Sequence, residues 1–141
     1  MSDGLISVCL VKSEKRNLIS PVHVVLLAVS GVLTALVLVG AGGSKIAGKP
    51  AMRESAEHFS IPWNQYRLIG FAEIAGAVGI LVGIWLNGLG LVAGIAVVAL
   101  MVGAVAFHVR AGDAIKGIVP AIVALAISAV YVVVQAFVLW G

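Results

Sequence analysis

Four apolar runs divide this chain: Val22 to Ala41, Ile69 to Leu86, Leu89 to Phe107 and Ile118 to Trp140. Each is about as long as the ~20 residues a helix needs to cross ~30 Å of hydrocarbon. Spanning strands would be shorter and would alternate apolar with polar side chains, whereas these runs are continuous. Composition agrees, with 62% hydrophobic and 11% charged residues and a mean hydropathy of +1.17, where soluble domains carry about a quarter charged. The expected fold is all-α, an integral membrane four-helix bundle.

Aromatic residues mark the borders independently, because Trp and Tyr favour the headgroup interface. Trp63 and Tyr66 precede the second run, while Trp85 and Trp140 close the second and fourth on the opposite membrane face. From Tyr66 to Trp85 a helix advances about 28 Å, the thickness of the hydrocarbon. With these flanks the spans cover about 22–41, 66–86, 89–108 and 118–140, a single domain over 22–141. Residues 1–21 read as a polar tail with Lys12, Lys15 and Arg16, too poor in apolar residues to fold alone. A cleaved signal peptide is the alternative, but the first run exceeds a usual h-region, so an uncleaved helix is expected. Orientation is divided. The tail cations favour a cytoplasmic N-terminus, yet Lys45, Lys49, Arg53, Arg67, Arg110 and Lys116 all gather on the face of the first and third loops.

The first loop, Gly42 to Gln65, has room for structure. From Pro50, a good first helical residue, Met52, Ala56 and Phe59 recur at i, i+4, i+7 while Arg53, Glu54, Glu57 and His58 face elsewhere. A short interfacial helix and a solvated loop fit this pattern equally. Within the spans, Gly79 and Gly83, Gly90 and Gly94, and the stripe Ala96, Ala99, Gly103, Ala106 allow close backbone approach, and are expected to pack within the chain.

Glu73 is the one formal charge inside the four runs. An ionisable side chain at such depth pairs with a partner or marks a substrate or proton path. At 100° per residue, His23, Ser30, Thr34, Ala41 and Lys45 share a stripe within about 40°, as do Tyr66, Gly70, Glu73 and Ala77; Met101, Val105 and His108; and Ala121, Ser128 and Gln135 with Tyr131 at their edge. Depth then selects Lys45, Arg67, Glu73 and His108, all toward the face of the first and third loops, as the candidate binding or ion-pair cluster. Tyr66, Arg110, Ser128 and Tyr131 are secondary candidates. The plainer reading makes Glu73 a lock on helix register, Lys45, Arg67 and His108 interface anchors, and the hydroxyls interhelical hydrogen-bonding groups.

Several chemistries lack their residues. Cys9 is the only cysteine, so a thiol relay has no second sulfur. His23 and His108 lie at opposite faces, which disfavours an intramembrane bis-His haem. A metal at Glu73, His108 and His58 lacks tight ligand spacing, so no metal site is expected. No phosphate-binding glycine loop occurs, and the basic residues are too scattered for nucleic acid.

Gly43-Ser44-Lys45-Ile46-Ala47-Gly48, Phe59-Ser60-Ile61-Pro62, Arg67-Leu68-Ile69-Gly70-Phe71-Ala72-Glu73-Ile74-Ala75-Gly76 and Ala104-Val105-Ala106-Phe107-His108 together resemble the DoxX-like membrane proteins. The match runs from about Gly42 to Asp113. The resemblance implies a small four-span protein of the bacterial inner membrane, some relatives being associated with membrane oxidoreductase assemblies, thiosulfate oxidation coupled to quinone, or oxidative-stress complexes. The N-terminal tail is outside that pattern. Two functions follow. In one the chain is an accessory subunit without catalysis of its own, docking a membrane or peripheral redox protein, with homo-oligomers as a further partner. In the other a quinone-like amphiphile enters the polar interior, where Glu73 exchanges a proton while Lys45, Arg67 or His108 orients a carbonyl or anion. No redox cofactor site is visible in the chain, so electrons would come from a partner.

Overall fold

The computed structural model describes residues 2–140, with side chains described except at 2–3 and 12–20. Lys12, Lys15 and Arg16 therefore lie outside the described side chains. In chain order the helices are α1 (Ser2–Ile46), α2 (Pro50–His58), α3 (Trp63–Gly83), α4 (Asn87–Arg110) and α5 (Ile115–Trp140), and among the described residues there is no strand.

Four segments are long and apolar enough to cross a membrane: Pro21–Ile46, Trp63–Gly83, Asn87–Arg110 and Ile115–Trp140. Only 33%, 33%, 22% and 28% of their most apolar windows are buried inside the protein. The outward faces remain rich in Val, Leu and Ile, so the surrounding medium that satisfies them is lipid. Around the bundle α1 packs on α3 and α5, and α4 packs on the same two helices. Leu27, Leu38, Ile80, Val97, Met101, Tyr131 and Val134 fill the centre.

The segment read as a polar tail is helical instead, continuous with the first span through Pro21. Propagating a helix from an existing one is cheap, and Leu5, Ile6, Val8, Leu10 and Val11 supply no stop signal. Pro21 costs a backbone hydrogen bond there without ending the helix. The first-loop pattern resolves as α2, which has Pro50 in its first turn. Ala56 is buried, Met52 and Phe59 are half-buried, and Arg53, Glu54, Glu57 and His58 are exposed. Gly48 (φ 68°) and Ser60 (φ 54°) bracket α2 with left-handed backbone, which turns the chain sharply at both ends. The second span begins at Trp63 and ends at Gly83, because Ile84, Trp85 and Leu86 form the tight turn into α4.

Small residues set the helix spacing, as expected where lipid gives no hydrophobic drive to associate. Along the α3–α4 hairpin, Gly76 faces Val97, Gly79 faces Ala93 and Gly83 faces Gly90. A Cβ on Gly83 would lie 2.1 Å from the Gly90 Cα, so the two backbones touch. The stripe Ala96, Ala99, Gly103, Ala106 does not pack within the chain: its alanines are exposed and a Cβ on Gly103 would meet nothing within 4 Å. Gly90, Gly94, Val97 and Met101 occupy the inward face of α4, and helical phase puts the stripe on the opposite side.

Candidate functional site

Gly42 on α1 and Gly70 on α3 make the contact on which the site is built. A Cβ on Gly42 would lie 2.7 Å from the Gly70 carbonyl oxygen, and one on Gly70 would lie 2.9 Å from the Gly42 oxygen. Lys45 and Glu73 each stand three residues beyond these glycines, so close backbone approach brings their side chains together. Lys45 Nζ donates to Glu73 Oε1 at 2.8 Å and Oε2 at 2.9 Å. The side chains are 12% and 5% exposed, so this is a buried ion pair joining two spans. Lys45 also lies in the last turn of α1, where its charge complements the helix dipole. The buried Tyr66 ring lies 5.7 Å from Nζ and stacks at an angle on Trp63.

His108 is engaged elsewhere. Its Nδ1 meets Asp113 Oδ2 at 2.5 Å, and His58 Nε2 meets Asp113 Oδ1 at 2.5 Å. One loop carboxylate thus ties the end of α2 to the end of α4, and the Phe59 ring stands edge-on to His108 at 4.9 Å. Hydrogen bonds from His108 and then His58 hold the Asp113 carboxyl below the usual carboxylate range. Arg67 joins neither group: its Nε is buried with no acceptor among the described residues. Arg110 is exposed at the end of α4. The four candidates therefore divide into the Lys45–Glu73 pair, a histidine bound to a loop aspartate, and an arginine outside both.

Ser128 and Tyr131 belong to a second polar region. Ser128 Oγ donates to Ala124 and Leu125 carbonyls at 2.9 Å, back along its own helix, and the Tyr131 hydroxyl donates to the Ile80 carbonyl at 3.0 Å. Nearby, Gln135 Nε2 donates to the Asn87 carbonyl at 2.9 Å. The sequence reading placed Gln135 on the polar stripe of its helix without assigning it a role, and it missed Asp113. The signal for Asp113 was an acid five residues beyond His108 in a short loop on the same face as His58.

The central cavity bordered by Thr34, Leu38, Val97, Met101 and Ala124 has no room for a water molecule, and Glu73 does not line it. Among the described residues no group of three His, Cys, Asp or Glu side chains is placed to hold a metal ion. Lys45 engages both oxygens of Glu73, so the acid is paired within the bundle.

The fold and the pair define a multi-pass helical membrane protein whose first and second spans are locked by a buried acid and base. Residues 28–131 match the DoxX-like family, and the chain belongs to that family. That stretch contains Lys45, Glu73, His108 and Asp113. No curated protein and no solved structure matches the chain.

Proposed function

We propose that this protein is an accessory subunit of the bacterial inner membrane that docks a redox protein, with Lys45–Glu73 fixing the fold at the docking end. The observation that carries the reading is the direct, two-oxygen engagement of Glu73 by Lys45. A carboxylate so neutralised and only 5% exposed holds helices in register. The outward stripe Ala96, Ala99, Gly103, Ala106 supports the reading as well, since small side chains admit a partner's transmembrane helix, including one from a second copy. The redox character of the partner rests on the family resemblance. In the competing reading a quinone-like amphiphile enters the polar interior, where Glu73 exchanges a proton while Lys45, Arg67 or His108 orients a carbonyl or anion.

Native purification from the source membrane, with identification of co-purifying proteins, tests the docking role; a chain that emerges without a stoichiometric partner contradicts it. Glu73→Gln then separates the two readings. Under the accessory reading, thermal stability and partner capture fall together. Under the chemical reading the variant stays folded and partnered while quinone binding or turnover fails.

A further inference from the structure

At the end of the bundle carrying the first and third loops, both buried or bridging carboxylates are already used. Glu73 gives both oxygens to Lys45, and Asp113 gives one oxygen each to His58 and His108. Three cations on one seam between the end of α1 and the start of α3 have no ion-pair partner among the described residues: Lys49, Arg53 and Arg67. The Arg53 guanidinium stacks 4.6 Å over the Trp63 ring. Gly48 turns the chain beside them, and a Cβ there would lie 3.5 Å from both Arg53 Nη2 and Trp63 Cζ2. Lys49 is the next residue and is exposed. Arg67 stands four residues after Trp63, one turn deeper on the same helical face, with Nε buried and unpartnered. Arg67 as a whole is only half-buried, so its guanidinium, which has no ion-pair partner among the described residues, is a cation that an external anion can match.

We propose that this seam binds the phosphate of an anionic phospholipid, held by Arg53, Arg67 and Lys49 and levelled at the headgroup plane by Trp63. Arginine forks match the oxygens of a phosphodiester, and Trp marks the depth at which phospholipid phosphates lie. The acyl chains have a wall to follow: Phe71, one turn deeper than Arg67, is 50% exposed, and Leu68 is 65% exposed. A free phosphate would leave that wall unused. This site is independent of the docking function and of the Lys45–Glu73 pair.

The test is native mass spectrometry of the delipidated full chain titrated with dioleoyl phosphatidylglycerol, dioleoyl phosphatidylcholine or inorganic phosphate. The glycerol lipid should be retained in preference to the choline lipid, and inorganic phosphate should not displace it. Retention should weaken about tenfold in Arg53→Gln and further in Arg53→Gln/Arg67→Gln, the scale of one lost charge-assisted contact. Arg110→Gln and Lys116→Gln should leave it unchanged. Arg53 is exposed, so its substitution reads binding without disturbing the fold. Equal retention by every variant overturns the proposal. So does an equal loss in Arg110→Gln, which would mean diffuse attraction, or displacement by inorganic phosphate, which would mean a site for the free anion.

Discussion

The two ends of the bundle solve the same problem with different chemistry. At the end of the first and third loops, α1 meets α3 through a charged pair, and α2 is tied to α4 through an aspartate shared by two histidines. At the other end, α5 is held by neutral groups: the Tyr131 hydroxyl on the Ile80 carbonyl and the Gln135 amide on Asn87. Both ends rely on glycine contacts, Gly42 with Gly70 at one and Gly83 with Gly90 at the other. Where the backbones touch, short polar bonds reach across spans; which kind they are decides whether that end responds to charge, pH and salt or to shape alone.

The largest effect expected is from breaking the charged end on one side. Lys45→Met leaves Glu73 buried without its base and should cost about 3–5 kcal/mol, whereas Lys45→Met/Glu73→Leu should recover most of the loss. Thermal unfolding in detergent reads both, and a harmless Lys45→Met would remove the charged half of the comparison. At the neutral end, Gly83→Ala places a Cβ 2.1 Å from the Gly90 Cα. The α3–α4 hairpin must then part, at about 1–3 kcal/mol by the same assay. Tyr131→Phe removes one hydrogen bond while keeping the ring, and should cost about 1 kcal/mol. A larger loss there would show that the neutral end carries more than a bond.

The smallest effect is the pH response of the α2 tie. Asp113 has a lowered carboxyl, so its contribution is fully present above the ordinary aspartate value of about 3.9 and is lost as pH falls through the depressed folded value. Acid unfolding curves of the parent and Asp113→Asn should therefore differ at neutral pH and converge in strong acid. Curves that stay parallel throughout would mean that the histidine contacts do not stabilise the fold.

Much of this was legible before the structure. The four spans follow from run length alone, because a helix crossing lipid has to be apolar for its whole length. Lys45 and Glu73 were legible by phase and depth together, since both fall on the inward stripes of adjacent helices at one level. His108 and Arg67 lie toward the same membrane face but do not share that partner. Depth cannot choose among neighbours, and Asp113 captures His108 from a loop that helical phase does not describe. The Ala96 to Ala106 stripe was misassigned because small residues serve equally at inward and outward contacts, and α4 carries them on both faces. The helical course of residues before Pro21 was missed because the segment was judged as an isolated polar tail, whereas a helix propagates into it from the first span.

The central claim is that Lys45 and Glu73 act as one unit across α1 and α3. A double-mutant cycle with Lys45→Met and Glu73→Leu, read by thermal or denaturant unfolding in detergent, measures that directly. The account predicts strong coupling: the double variant recovers most of the about 3–5 kcal/mol lost in Lys45→Met and is more stable than Lys45→Met alone. Losses that add within about 0.5 kcal/mol would show two independent residues and contradict it.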